Sequence, residues 1–291
     1  MRLTHGRAVV LMVVVTLMWA TAGVVTRQLE AVRSFEVTFW RSFFTVLALL
    51  VILPAWQGRA VFIKIRRGGT ALWISGVCWC VMFTAFMVAL TMTSTANVLV
   101  TMAVGPLFTA VAARLFIGHK LPPRTWAAIA VAGVGIGWMY GRQFGQGEMA
   151  GTFVALCVPI ALACNWTVVQ HSHARRQDVD LVPAVLIGAA LSALLTLPLA
   201  WPFRADAHDL GLLAFLGLFQ LAIPCVLAVL CARVLKAPEV ALLALLEVIF
   251  GIALAWAGAG EAPGASVLTG GALVVGALVA NELMALRDPR R

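Results

Sequence analysis

A chain of 291 residues would ordinarily make two soluble domains, but 62% of its residues are hydrophobic and 11% are charged, against about 25% charged in soluble proteins. That balance excludes a water-soluble core, because the helices it encodes have no polar face to turn outward. The net charge of +9 would suit nucleic acid, yet the basic residues stand in short caps between apolar runs and form no RNA- or DNA-reading motif, so no nucleic-acid partner is expected.

A hydrocarbon layer about 30 Å thick takes roughly 20 helical residues to cross. Stretches that meet this requirement run from Ala8 to Thr26, Val37 to Trp56, Gly69 to Leu90, Ser94 to Ile117, Thr125 to Gly141, Met149 to Gln170, Leu181 to Trp201, Leu210 to Ala232, Glu239 to Gly258 and Ala265 to Leu286. The expected fold is an all-α membrane protein of ten transmembrane helices, with membrane lipid as its surroundings. The thinnest division is the short polar break Thr91 to Thr95. At the start, Arg2, Arg7, an apolar run and Ala20-Thr21-Ala22 imitate a cleavable signal peptide; retention is expected, because cleavage would remove the first helix and break the repeat described below.

Charge sidedness agrees with ten crossings. With both termini cytoplasmic, 16 Lys or Arg fall inside and four outside (Arg27, Arg33, Arg142, Arg204), while Arg41 stays within a helix. Six cysteines all lie in or beside apolar runs, where they read as small packing residues rather than disulfide or zinc ligands.

The chain also repeats itself. Leu53-Pro54-Ala55-Trp56 followed by Arg59-Ala60 returns 144 to 145 residues later as Leu197-Pro198-Leu199-Ala200-Trp201 followed by Arg204-Ala205. At an offset of 141, Ala96 pairs with Ala237, Ala103 with Ala244, Pro122 with Pro263 and Gly135 with Gly276. Two five-helix units, 1–144 and 145–291, follow from this. Since five is odd, the second enters the membrane upside down, the inverted-repeat plan that serves alternating access.

Polar groups inside a span are costly and need a partner or a wet cavity. The first helix brings Trp19 to some depth. In the second, Arg41 is expected to snorkel to the interface or pair with Glu36. The third carries Trp79, Phe83 and Phe86, with Met82 beside them, a stripe that would stack a planar substrate or pack the core. On the fourth, Asn97, Thr101 and Gly105 share a face, with Met102 beside them and Pro106 next; that face would meet an amino acid's charged groups or serve as interhelical glue. The sixth offers Asn165, Trp166 and Gln170. In the eighth, Gln220 stands one turn before Pro224, a broken-helix or plain-kink arrangement. Glu247, near the middle of the ninth, would bind a substrate ammonium, carry a coupling proton or serve as a packed hydrogen-bond donor. Gly133, Gly137 and Gly141 on the fifth helix and Gly276 with Ala280 on the tenth mark surfaces for close helix approach. Trp56, Trp73, Trp126, Trp138, Trp201 and Trp256 fit interfacial belts.

No His-Glu-x-x-His, Gly-rich phosphate loop, paired intramembrane carboxylates or deep histidine is present, so neither an enzyme nor a cofactor or metal site is expected. A pore or channel-like facilitator is the alternative reading; rings of like charge or a carbonyl-rich filter would favour it, and neither is visible. So few intramembrane charges suit small, largely zwitterionic cargo better than phosphates.

Trp19 through Arg27, Ala96-Asn97 through Gly105-Pro106 to His119-Lys120-Leu121-Pro122, and Gly260-Glu261 in the second half resemble the EamA-type drug/metabolite transporter superfamily, and within it the bacterial exporters of aromatic amino acids. His119-Lys120 departs from the Gly-Glu pair the family commonly carries there. The resemblance implies an exporter of amino acids or other small metabolites or drugs in the bacterial inner membrane, acting as a monomer. It also implies a central cavity lined by helices one, three, four, six, eight and nine, with five and ten packed outside. The substrate-binding residues expected on this reading are Trp19, Trp79, Phe83, Asn97, Thr101, Met102, Asn165, Trp166, Gln220 and Glu247.

Overall fold

The computed structural model describes residues 3–32, 34–58, 60–117, 122–141, 149–174, 181–232, 234–235, 240 and 243–286; the side chains of Trp166 and Gln170 lie outside that description. Among the described residues every regular element is helical. In chain order these are α1 (His5–Thr26), α2 (Ser34–Gln57), α3 (Ala60–Arg67), α4 (Thr70–Met92), α5 (Thr95–Ala103), α6 (Gly105–Ile117), α7 (Pro123–Gly141), α8 (Met149–Ala174), α9 (Pro183–Ala200) and α10 (Ala207–Phe215). A π-helical segment (Leu216–Ala222) leads into α11 (Ile223–Ala232), followed by α12 (Leu246–Ala259) and α13 (Ala265–Leu286).

Among the described residues six helices are long and apolar enough to cross a membrane: His5–Thr26, Phe35–Gln57, Thr70–Met92, Thr95–Ala112, Pro183–Ala200 and Ala207–Ala228. Shorter apolar helices cover Met149–Asn165, Leu246–Ala259 and Ala265–Asn281. This is a multi-pass membrane protein, and exposed Val, Leu and Ile along its spans suit a lipid-facing surface.

Local chemistry sets the breaks. The third and fourth expected spans divide at Thr93 and Ser94, where the Ser94 hydroxyl caps α5 by accepting the Asn97 N–H at 3.2 Å. Pro106 ends the α5 ladder as anticipated: Val104 turns the chain, and the Leu107 and Phe108 N–H groups both reach its carbonyl. The charged connection after α2 was expected to be a loop. Instead Ala60–Arg67 winds into a short helix whose last turn collects Lys64, Arg66 and Arg67, the end of the dipole that favours cations.

The main pairings are α1 with α12 and α11, α2 with α9 and the π-helical segment, α4 with α8 and α9, α8 with α5 and α6, and α7 with α13. The largest buried cluster, including Met87, Leu90, Val98, Val100, Leu213 and Leu216, fills the space among them. Two buried acids brace connections near the Arg27 end of the bundle. Glu36 Oε1 accepts the N–H groups of Arg204 and Ala205, both at 2.8 Å, and Asp209 accepts those of Glu30 and Ala31 at 3.1 and 3.0 Å.

The glycine expectation for α7 needs correction. Gly133, Gly137 and Gly276 meet open space, and Gly141 has no described side-chain surroundings. The close approach to α13 runs through Gly135 instead, where an added Cβ would stand 2.7 Å from the Gly270 carbonyl oxygen. A four-residue spacing selects a helix face, but it does not say which face meets the partner.

Candidate functional site: a buried cation inside the apolar bundle

Arg41 neither snorkels nor pairs with Glu36. It is 2% exposed and sits two turns into α2, about 10 Å along the axis from Ser34 at 1.5 Å per residue. Its Nε and Nη2 both donate to Gln220 Oε1, at 3.0 and 2.8 Å. The guanidinium carbon lies 5.9 Å from the Phe83 ring centre and 5.6 Å from that of Phe86, within cation–π range. Cys225 and Glu247 lie within electrostatic reach of it. The snorkelling expectation fails because a partner inside the bundle is nearer than the interface. Glu36, for its part, spends one carboxylate oxygen on backbone amides.

The neighbouring backbone explains why Gln220 meets this side chain. Gly217 stands where a Cβ would fall 2.8 Å from the Arg41 carbonyl oxygen and 2.6 Å from Phe44 Cβ, so only glycine lets the two elements approach. Thr45 Oγ1 donates across that seam to the Gly217 carbonyl (3.1 Å) and, within α2, to that of Arg41 (2.8 Å). The π-helical segment widens the turn that carries Gln220, and it ends with the Ile223 N–H reaching back five residues to Leu218. Pro224 follows without an N–H to restore the four-residue ladder at once. The anticipated break near Pro224 is thus a change of helical pitch.

Several expected site residues converge on this centre. Trp19 takes a 3.4 Å hydrogen bond from Gln220 Nε2 on its carbonyl. Phe83 faces Arg41 directly, and Trp79 joins through Phe83 with ring centres 5.3 Å apart. Glu247 lies in the first turn of α12, just past a turn at Leu245, not in the middle of an unbroken helix. The others stand elsewhere. Asn97 and Thr101 are fully buried on α5; Asn97 Nδ2 donates to Thr93 Oγ1 at 3.0 Å, and Thr101 Oγ1 to the Asn97 carbonyl at 2.7 Å. Met102 packs on the large central cluster. Asn165 accepts a 2.6 Å hydrogen bond from Ser75, fastening α8 to α4. The expected role of the Trp166 side chain falls outside the described residues.

A second polar assembly closes the Arg27 end of the bundle. Arg27 Nε donates to Glu261 Oε2 at 2.9 Å, while Nη1 and Nη2 donate to the carbonyls of Leu90 (2.8 Å) and Thr93 (2.7 Å). Glu261 also accepts the Thr95 N–H at 2.6 Å and the Thr95 hydroxyl at 2.8 Å. Gly260 makes this possible: at φ 66° it adopts the left-handed turn that ends α12 and throws Glu261 onto the α4–α5 break. Burial acts to raise the Glu261 carboxyl pKa. Hydrogen bonds from Arg27 and Thr95, with the Arg27 charge, outweigh it and hold the group below its ordinary range. A shallow hollow of about 360 Å³ opens here, lined by Arg27, Thr91, Met92, Thr93, Ser94 and Glu261.

Two structural features were misread or missed in the sequence. A lone intrahelical arginine normally snorkels, and only the Gly217 approach and the position of Gln220 tell that this one does not. The Arg27–Glu261 pair spans 234 positions, and its sole sequence signal was the Gly-Glu dipeptide.

Residues 6–141 match the EamA-like transporter family. Among curated proteins none matches the chain. A solved crystal structure is similar over 98% of this chain and all of its own, with a TM-score of 0.66 at 20% identity, a likeness of fold.

Proposed function

We propose that the whole chain is an EamA-like secondary transporter that exports aromatic and other neutral amino acids from the bacterial cytoplasm by alternating access, as a monomer with both termini inside. The observation that carries this reading is the Arg41 centre: a buried cation, an amide and aromatic rings drawn from α2, α4 and the π-helical segment into the interior of an otherwise apolar bundle. A helix bundle has no packing reason to hold a full charge there, whereas a path for polar cargo does. The aromatic faces suit a planar or apolar side chain, and the Glu247 carboxyl lies within electrostatic reach of the cation.

Ten crossings in two inverted halves belong to the same proposal. Its support is the pairing of helices. Exchanging α1 with α8, α2 with α9, α4 with the π segment and α11, α5 and α6 with α12, and α7 with α13 converts each main pairing into another. Contact of α1 with α12 becomes contact of α8 with α5 and α6, while α2–α9 and α7–α13 map onto themselves, as a pseudo-two-fold requires. The Arg27–Glu261 assembly then seals one mouth of the path.

The test is uptake of a panel of labelled amino acids into liposomes containing the purified protein. Saturable uptake of tryptophan, phenylalanine and leucine well above aspartate and lysine is the expected result. Uptake of none of them would overturn the substrate assignment.

A further inference from the structure

We infer that Arg41 is the carboxylate anchor of the transport site, taking the substrate's carboxylate on the guanidinium edge that carries Nη1. This rests on the amino acid reading above and goes beyond it by naming the group that recognises the acid end.

A guanidinium offers five N–H donors along flat edges. The Nε–Nη2 edge is spent on Gln220 Oε1. Nη1 is buried with no hydrogen-bond partner, so the edge it shares with Nη2 carries an unpaired donor. That edge has the spacing that grips both oxygens of a carboxylate in two parallel hydrogen bonds. Gln220 is neutral and satisfies donors without cancelling charge. Among the described residues no carboxylate comes within ion-pairing distance of Arg41, and Glu247 acts on it only from further away. The bundle therefore holds a cation that is clamped in orientation, desolvated and without a carboxylate in direct contact, a preorganised receptor for an anion.

Phe83 and Phe86 lie beside the same guanidinium, so a ligand held there by its carboxylate places its side chain against aromatic rings. Glu247 answers the ammonium of such a ligand with the opposite charge. A monocarboxylate bearing an apolar or aromatic group meets every element of this arrangement, whereas a phosphate or dicarboxylate brings more negative charge than one cation offsets.

Competition against labelled tryptophan in proteoliposomes tests the anchor without any substitution. Unlabelled tryptophan and indole-3-propionate, both with a carboxylate, are expected to compete about 10-fold to 100-fold better than tryptophan methyl ester or tryptamine, the range for hydrogen bonds to a charged group. In Arg41→Met the advantage of tryptophan over its ester disappears while inhibition by the ester stays as in wild type; Arg41→Lys, a point charge without the fork, falls between. Equal competition by acid and ester in the wild-type protein would overturn the anchor while leaving amino acid transport intact. A protein that moves no amino acid fails both readings. Should Arg41→Met not fold, as judged by its elution and melting in detergent, the wild-type comparison alone decides.

Discussion

Arg41 and Glu261 show how much a single side chain owes to neighbours remote in sequence. Glu261 was legible only as half of a dipeptide. Its place in the structure, receiving Arg27 and Thr95 on two oxygens, makes it the fastening point between α1, the α4–α5 break and the end of α12. Because those donors hold its native pKa below the unfolded value, the fastening contributes in full above about pH 4.3, the ordinary glutamate value, and is lost as pH falls through the depressed native pKa. Glu261→Gln should therefore melt at a lower temperature than wild type at pH 7, and the gap should narrow as pH drops below about 4. Melting curves across pH 3 to 7 in detergent check this, and a gap independent of pH would contradict the assigned role. Trp19, Phe83, Gln220 and Glu247 were all legible as deep polar or aromatic residues. Their common focus was not, because it depends on an arginine that sequence rules send to the interface.

Helices were the most legible objects, since length and apolar content are nearly all that a crossing requires, and the breaks at Ser94 and Pro106 announced themselves through a short polar stretch and a missing amide. The π-helical pitch around Gln220 gave only a proline as warning, and the charged helix α3 gave none. Which face of a helix meets its neighbour was the least legible property. On α7 the evident glycine series, Gly133 and Gly137, meets open space, and the contact belongs to Gly135 against the Gly270 carbonyl. Gly135→Val should destabilise the protein by about 1 to 3 kcal/mol through overpacking, while Gly137→Ala should stay within about 0.5 kcal/mol. Thermal melts of the two variants decide it, and equal effects would mean that α7 and α13 pack through another surface.

The bundle joins a polar centre among apolar helices to a hydrogen-bonded cluster at the Arg27 end, and the proposed pseudo-two-fold would exchange its main helix pairings. Those features suit a carrier that exposes one site to either side in turn. A pore through the same bundle would need no closure linking α1, the α4–α5 break and the end of α12. Counterflow separates the two most directly: liposomes loaded with unlabelled tryptophan and diluted into a trace of labelled tryptophan report exchange across the protein. A carrier drives transient accumulation of label above its equilibrium level, saturating with substrate, and that is the result predicted here. Label that only equilibrates, without an overshoot and in proportion to concentration, would contradict alternating access.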